Sequence, residues 1–320
     1  MVMGKASRTK QDVDRRARIA AQREAERRSA QRKRIYLAGG SILVVAIVVV
    51  AIVLVKLNSS PAAAAAAPTG SALTAVEKQV ENVPSSVTDK VGTGGVTQSL
   101  FQPTETTTQV SAAAANGDYF GTINGQALTS AGKPELLFMG AEYCPYCAAE
   151  RWAMVNALSR FGTFKNLGTT HSSSTDVDAN TPTFSFYKST YTSNYLNFTS
   201  VEETTNVSNG SGGYTTLQTP TSAEATIGQT YDPEGSIPFL DFGNKYVEVG
   251  NLAPLDPSML SGKSYSQIAA AMTSPSGSSL GTAEDANANY ITAGICKLTN
   301  NQPATACTPT IQTLQQSFAS

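Results

Sequence analysis

Residues 136–147 read Leu-Leu-Phe-Met-Gly-Ala-Glu-Tyr-Cys-Pro-Tyr-Cys, an apolar run that is followed by two cysteines, Cys144 and Cys147. A strand that ends in C-x-x-C and continues into a helix is the arrangement used for thiol–disulfide exchange. At the start of such a helix, the macrodipole and the free backbone N–H groups favour the thiolate, which is the species that attacks a disulfide. We therefore predict that Cys144 is the nucleophile and that Cys147 is the resolving thiol.

Strand and helix patterns alternate on both sides of this motif. The unbroken apolar run Leu136–Met139 predicts a central strand that is buried on both faces. Apolar residues recur at helical spacing from Ala148 to Phe161, which predicts a helix with Gly162 as its C-terminal cap. Other patterns predict strands at 183–187 and 195–201, hairpins at Asn124-Gly125 and between 237–240 and 245–249, and helices at 264–272 and 282–296, the last capped by Thr282.

A long polar segment, about residues 165–230, interrupts this pattern. It is rich in Ser, Thr, Asn and Tyr and contains Asn-Gly and Gly-Gly pairs. Such pairs mark turns, so the segment is predicted to be β-rich or irregular. We expect it to form an enlarged insertion within a domain that covers residues 116–320.

The N-terminal part of the chain has a different character. Residues 1–34 hold 12 of the 23 Lys and Arg residues but 4 of the 24 Asp and Glu residues. The uncharged run Ile35–Val55 is long enough, at ~1.5 Å per residue, to span a bilayer. We predict a basic cytoplasmic arm at 1–34, a transmembrane helix at 35–57 and an extracytoplasmic C-terminal domain at the cell membrane. The arm precedes a membrane segment, so we expect no nucleic-acid partner. The alternative is a signal peptide cleaved near Pro61.

Residues 58–115 are rich in Ala, Pro, Ser, Thr and Gly, and they predict a linker or stalk in which 73–83 has the spacing of a short amphipathic helix. An extracytoplasmic location permits disulfides. Cys296 and Cys307 are therefore predicted to form a structural disulfide that staples the C-terminal segment. The alternative is a relay that passes electrons to the C-x-x-C pair.

The motif and the segments after it resemble the thioredoxin family. The strand, the C-x-x-C helix and the sequence Gly-Ser-Ile-Pro-Phe-Leu-Asp-Phe-Gly-Asn-Lys at 235–245 are similar to a thioredoxin fold, in which a cis-proline opens the last hairpin. The resemblance covers about residues 117–297. It implies that Pro238 is cis and faces the cysteine pair. It also implies that the Ile237 backbone binds an extended substrate peptide, with Tyr146 as a further contact.

The chain also resembles a family of membrane-anchored, thioredoxin-like bacterial proteins, described as a domain of unknown function. Two departures from thioredoxin matter for chemistry. Thioredoxins carry a buried Asp six residues before the first cysteine, where this chain has Phe138, and a Trp directly before it, where this chain has Tyr143. Glu142 is an alternative, weaker base; the other interpretation is a solvated acid.

The cysteine pair has two further interpretations. The first is a static structural disulfide. The second is a metal site, but zinc typically takes four nitrogen or sulfur ligands from two close pairs. Cys296 and Cys307 are separated by eleven positions, and His171 is the one histidine in the sequence. We therefore expect no metal and no other cofactor, and we interpret His171 as a loop residue.

The predicted fold class is α/β: a thioredoxin-like fold with an enlarged polar insertion, preceded by a single transmembrane helix. The predicted function is that of a membrane-anchored, extracytoplasmic thiol–disulfide oxidoreductase. Its partners would be protein thiols and disulfides and a membrane redox protein. The alternative is a cell-surface binding or structural domain on the same scaffold, with the insertion as contact surface and a locked C-x-x-C disulfide. A reduction potential for the pair separates the two.

Overall fold

The computed structural model describes residues 63–96, 119–123, 125–252 and 254–318. The predicted basic arm at 1–34 and the predicted transmembrane helix at 35–57 lie outside these ranges. Among the helices that the structure describes, none is both long enough and apolar enough to cross a bilayer. All the described elements belong to the unit from Pro61 to Ser320.

The described residues form a mixed α/β structure. The strands are β1 (Tyr119–Thr122), β2 (Thr129–Ser130), β3 (Lys133–Gly140), β4 (Gly162–Lys165), β5 (Gly168–His171), β6 (Pro182–Ser185), β7 (Thr190–Ser193), β8 (Asn197–Glu202), β9 (Thr204–Ser208), β10 (Tyr214–Thr216), β11 (Phe239–Phe242) and β12 (Tyr246–Val249). The α-helices are α1 (Gly70–Glu81), α2 (Ser85–Val91), α3 (Pro145–Ser159), α4 (Ser222–Tyr231), α5 (Tyr265–Thr273), α6 (Ser279–Leu298) and α7 (Pro309–Leu314). Short 3-10 segments cover Pro257–Leu260 and Gln315–Ser317.

The main sheet has six strands of mixed direction. Its order is β1-β12-β11-β3-β2, and β8 pairs in parallel with β3. The other pairs in this sheet are antiparallel. The remaining six strands form three separate two-stranded sheets, β4–β7, β5–β6 and β9–β10. These small sheets account for much of the predicted polar insertion, which is β-rich up to residue 216 and then forms α4.

Strand β3 is the centre of the sheet, as its apolar run predicts. It pairs with β11 from 136 to 139 and with β8 from 135 to 140. Because successive side chains of a strand point to opposite faces, Leu136 and Phe138 enter one core while Leu137 and Met139 enter the other. Both cores are needed to bury this strand.

The larger core lies on the face of the sheet that carries α3, α5 and α6. Helix α6 approaches the sheet closely, because a Cβ on Gly294 would lie 2.9 Å from the Phe242 ring. The smaller core lies on the opposite face, where Ile227 and Tyr231 of α4 pack against it. The sheet is thus covered by helices on both faces.

Helix α3 differs from its predicted form. It covers 145–159 instead of 148–161, and it is buried on nearly all sides, including the polar residues Glu150, Arg151 and Asn156. Gly162 does not cap the helix and instead begins β4. A Cβ there would lie 2.4 Å from the Thr192 carbonyl oxygen, so this glycine permits close pairing with β7.

The prediction of a hairpin at Asn124-Gly125 is wrong. Strand β1 pairs with β12 and not with the segment that directly follows β1 in the sequence. Asn124 itself lies outside the described residues. A Cβ on Gly125 would lie 2.4 Å from the Tyr231 hydroxyl, so close approach explains this glycine better than a turn does. The hairpin into β3 turns instead at Ala131 and Gly132, which both have positive φ.

Other predicted elements are found with small changes. The hairpin β11–β12 and helix α5 are confirmed, and Ser264 and Gln267 form a capping box on α5. Helix α6 begins one turn earlier than predicted, so its cap is Ser278, whose Oγ accepts from the N–H of Gly281, and not Thr282. Cys296 at its end forms a disulfide with Cys307.

The segment predicted as a linker or stalk contains two helices that pack on the domain. Val76 and Val80 of α1 are buried in the larger core. Asn289 of α6 donates a hydrogen bond to the carbonyl of Thr88 in α2 at 2.8 Å. The docking of these helices could not be predicted from a composition rich in Ala, Ser and Thr. Two buried valines are enough to attach the first short helix to the core. Residues 58–62 and 97–115 of the predicted stalk lie outside the described residues.

The disulfide should contribute to stability through the loop that it closes. Replacing both partners, Cys296→Ala with Cys307→Ala, should lower the free energy of unfolding by about 3 kcal/mol, because the bridge closes a short loop of the unfolded chain. Urea denaturation of the two proteins without reductant measures this difference. Under strong reductant the difference should shrink. An equal denaturation midpoint in oxidising buffer would show that the bridge does not stabilise the fold.

Candidate functional site

Cys144 caps the N-terminus of α3. Its backbone is extended, with φ −75° and ψ 123°, and its Sγ accepts a hydrogen bond from the N–H of Cys147 at 3.4 Å. Pro145 follows at the first helical position, where an N–H has no intrahelical partner. At the end of β3, a Cβ on Gly140 would lie 2.5 Å from the Phe138 ring and 3.1 Å from the Sγ of Cys147. Glycine therefore lets the strand end beside the buried sulfur.

The two thiols, which are both free, have different environments. Cys147 is fully buried, whereas Cys144 is 6% exposed. A hydrogen bond from the Cys147 side chain lowers the pKa of Cys144, with the Cys147 N–H and the charge of Arg151 assisting and burial opposing. Burial raises the pKa of Cys147 well above its ordinary value, and Cys144 raises it further. The thiolate of the pair is therefore favoured at Cys144.

The loop before β11 faces the first thiol. The Ile237–Pro238 bond is cis, which confirms the prediction from sequence. The Cys144 Sγ lies 3.7 Å from the Ile237 carbonyl oxygen, to which it is placed to donate a hydrogen bond. The Pro238 carbonyl accepts from the N–H of Gly250 at 2.9 Å, which ties the loop to the end of β12. Cys144, Cys147 and Ile237 therefore meet in one place.

A buried ion pair lies behind the thiols. The Nε and Nη2 of Arg151 donate to the two carboxylate oxygens of Glu202 at 2.9 and 2.5 Å, and both side chains are fully buried. The same Nη2 donates to the Ala141 carbonyl at 2.9 Å, directly after β3. The guanidinium lies 5.7 Å from the centre of the Phe138 ring. It thus lies beside the Phe138 ring and next to the end of β3.

The side chain of Asn251 fixes the backbone of the turn between the two cysteines. The Nδ2 of Asn251 donates to the Tyr146 carbonyl at 3.1 Å and to the Glu150 carboxylate at 2.7 Å. The Tyr146 side chain is 40% exposed. The backbone of this turn is therefore fixed while the Tyr146 ring remains accessible at the surface.

The polar insertion contacts the motif on its other side. The ring of Tyr143 stacks on that of Tyr214 from β10, with centroids 4.2 Å apart and 9° between the planes. The N–H of Glu142 donates to the Thr204 carbonyl in β9 at 2.9 Å. Burial, together with the nearby cysteines, raises the pKa of Tyr143 to about 12, so its hydroxyl stays protonated. The β9–β10 hairpin thereby packs against the two residues that precede Cys144.

The two other titratable candidates point elsewhere. The Glu142 carboxylate accepts from the Ser185 hydroxyl at 2.7 Å, and burial raises its pKa. The Nε2 of His171 lies 2.5 Å from the Ala65 carbonyl oxygen, and the ring packs edge-on against Tyr265. His171 is in β5, and not in a loop as predicted. Among the described residues, no group of three or more His, Cys, Asp or Glu is arranged to hold a metal ion.

Reasoning from sequence missed the ion pair and the tyrosine stack. Arg151 carries a signal that could have been used, because it is a charged residue one turn after Cys147 and directly before Trp152 of the predicted apolar helix face. Glu202 and Tyr214 carry no such signal. Each lies within a polar segment, and only the fold brings them to the cysteines.

Comparison with known proteins gives one family match. The model of the family described as "Domain of unknown function (DUF929)" matches residues 119–297, which include both cysteines of the motif and the cis-proline loop. No curated protein matches the chain. No solved structure matches it either.

The two thiols should differ in reactivity as pH falls. Since the pKa of Cys144 is lowered, its thiolate persists below the ordinary thiol pKa of about 8.5, whereas Cys147 stays protonated and buried. In the reduced protein at about pH 6, limiting iodoacetamide should modify Cys144 at least about tenfold faster than Cys147. Peptide mass spectrometry measures both rates.

The matched control is Cys147→Ala, which removes the hydrogen bond from the second thiol. In this variant the alkylation profile of Cys144 should move to higher pH, because the thiolate has lost a donor. Equal rates for the two cysteines are expected only in denaturant. Faster modification of Cys147 in the folded protein would reverse the assigned roles.

Proposed function

We propose that this chain, which belongs to the family described as "Domain of unknown function (DUF929)", is a thiol–disulfide oxidoreductase that acts on protein thiols and disulfides. The observation that carries the proposal is the pairing of two unlike thiols. Cys144 has a lowered pKa at a helix N-terminus, and Cys147 is buried with a raised pKa. A bridge with a purely structural role needs no such difference.

The proposed exchange has two steps. The Cys144 thiolate attacks one sulfur of a substrate disulfide, which forms a mixed disulfide and releases the other substrate sulfur as a thiolate. The Cys147 thiol then gives up its proton and attacks the Sγ of Cys144, which releases the second substrate sulfur and leaves a Cys144–Cys147 disulfide. The proton of Cys147 passes to one of the released substrate thiolates. The substrate therefore gains two electrons and one proton from the pair, and its second sulfur leaves as a thiolate that takes its proton from water. A dithiol protein then reduces the Cys144–Cys147 disulfide and restores the pair. In the opposite direction, the disulfide form of the pair oxidises a substrate dithiol, and a disulfide protein then re-oxidises the pair.

The arrangement of the strands supports a thioredoxin-like fold as part of this proposal. The strand that leads into the cysteines is paired in parallel with β8 and antiparallel with β11, and the cis-proline directly precedes β11. In this proposal the Ile237 backbone binds an extended substrate peptide, and Tyr146 contacts it from the other side of Cys144. The 3.7 Å separation between the Cys144 Sγ and the Ile237 carbonyl supports that role.

We further propose that residues 35–57 anchor the domain in the cell membrane with its cysteines outside. The uncharged run Ile35–Val55 and the basic residues before it support this topology. A membrane redox protein that faces the same side would exchange electrons with the pair.

Trapping the first step tests the exchange. Cys147→Ser removes the resolving thiol, so this variant should accumulate a mixed disulfide between Cys144 and a disulfide-bonded peptide. Mass spectrometry under non-reducing conditions should detect that adduct. The matched control, Cys144→Ser, retains only the buried thiol and should form about a hundredfold less adduct.

The reduction potential of the wild-type pair separates the enzyme from its alternative. Equilibration with glutathione should give a value above about −300 mV, within the range of exchange proteins. A lower potential would mark a structural bridge and favour a binding domain instead.

The topology is tested in intact cells that contain the full chain. After mild reduction, a membrane-impermeant thiol reagent should label Cys144 before lysis. The variant Cys144→Ser is the control for the site of labelling. Labelling that requires lysis would contradict the proposed orientation.

A further inference from the structure

A cavity of about 300 Å³ lies beside the cis-proline loop. Ile237 lines it, and the carbonyl of the same residue faces the Cys144 Sγ. The cavity and the reactive thiol are therefore neighbours, on two sides of one residue. An extended peptide bound along this loop passes both.

The lining of this cavity combines apolar surface with carboxylates. Met139 and Phe239 supply apolar surface from β3 and β11. Glu203, Asp232 and Glu234 supply three acidic side chains. Within the described part of the chain, no salt bridge joins any of the three to a cation. The site thus has an apolar wall and an excess of negative charge.

Asp232 carries one buried oxygen atom that lacks a donor. The residue is 3% exposed, and its Oδ1 accepts from the Ser236 hydroxyl at 3.4 Å. Its Oδ2 is buried and accepts no hydrogen bond from the residues that the structure describes. A buried carboxylate oxygen without a donor is costly unless a ligand supplies one. Burial raises the pKa of Asp232 and of Glu203, as expected where no cation compensates the carboxylates.

Lysine and arginine side chains fit this lining. Their aliphatic stems pack on apolar surface while the charged head reaches polar groups, and a charged donor makes the stronger hydrogen bonds to carboxylates. An extended peptide advances about 3.3 Å per residue with side chains on alternate sides. A side chain one or two residues from the reacting cysteine is therefore the one that reaches the cavity next to Ile237.

We propose that this cavity selects substrates in which a lysine or arginine lies one or two residues from the reacting cysteine. The inference rests on the proposed function and gives it a substrate class. The carboxylates recognise the cation, and the loop at Ile237 aligns the cysteine with Cys144. The recognition is local, and so it differs from a general attraction of acidic surface for basic peptides.

Single-turnover kinetics with the reduced full-length protein test this selectivity. The probes are peptides with one cysteine held in a disulfide with glutathione, carrying lysine or norleucine at one position within two residues of the cysteine. At the preferred position, lysine should raise the rate on the order of tenfold over norleucine. A third peptide carries the lysine five residues away and has the same net charge; it should react like the norleucine peptide. The lysine advantage should fall as salt is added.

The variant Glu203→Gln with Glu234→Gln should reduce the ratio of lysine to norleucine rates toward one. The matched control is Glu77→Gln in α1, which packs on the other face of the sheet and should leave the ratio unchanged. If all the peptides react at equal rates, the inference is overturned while the exchange activity stands. If distant lysine accelerates as much as near lysine, general attraction replaces the cavity. If no peptide reacts, the proposed function itself fails.

Discussion

The buried ion pair between Arg151 and Glu202 connects the helix that carries both cysteines to the strands on either side of the motif. Arg151 lies on the cysteine-bearing helix, and it also binds the backbone at Ala141, where β3 ends. Glu202 is the last residue of β8, and its carboxylate accepts from the N–H of Phe186 in the insertion. One pair therefore joins helix, two parallel strands and insertion. Loss of one partner from such a buried pair typically costs about 3–5 kcal/mol, because the other charge stays buried.

The same pair gives the site an electrostatic character of its own. The buried guanidinium of Arg151 helps to lower the pKa of Cys144, after the hydrogen bonds from Cys147. Glu202 neutralises the charge of Arg151. The electric field at the two sulfurs therefore depends on how fully the carboxylate of Glu202 cancels the positive charge of Arg151. The carboxylates beside Ile237 line the cavity on the other side of the loop, where we propose that the substrate peptide binds. In that proposal negative charge lies where the peptide binds, and positive charge lies behind the thiols.

Local sequence was enough to predict the parts of the site that neighbouring residues determine. The apolar run before Cys144 and the proline after it specify their own conformation, so the strand and the start of the helix after it could be predicted. The cis bond before β11 could be predicted only from the resemblance of residues 235–245 to thioredoxin, because an Ile-Pro pair by itself favours the trans form. Contacts between distant segments could not be predicted in this way. Glycines 125 and 162 were interpreted as turn or cap residues, yet they permit close approach of chains that only the fold brings together. Helix α3 has polar residues on the sides where a solvent-facing surface was expected, and their burial depends on partners far along the chain.

The order of the chain has a consequence for how the domain forms during synthesis. Strand β1 at the edge of the sheet pairs with β12. The N-terminal helix Ser85–Val91 docks through contacts that join residues 201 and 219 positions apart, Asn289 with Thr88 and Thr308 with Asp89. Closing loops of this length has a large entropic cost before any contact repays it, so folds with many such contacts form slowly. The cysteine-bearing helix therefore emerges long before the elements that enclose it. Helix Gly70–Glu81 packs on Pro145–Ser159 and on Tyr265–Thr273, whereas Ser85–Val91 packs on Ser279–Leu298. Folding to the enclosed state therefore has to follow nearly complete synthesis.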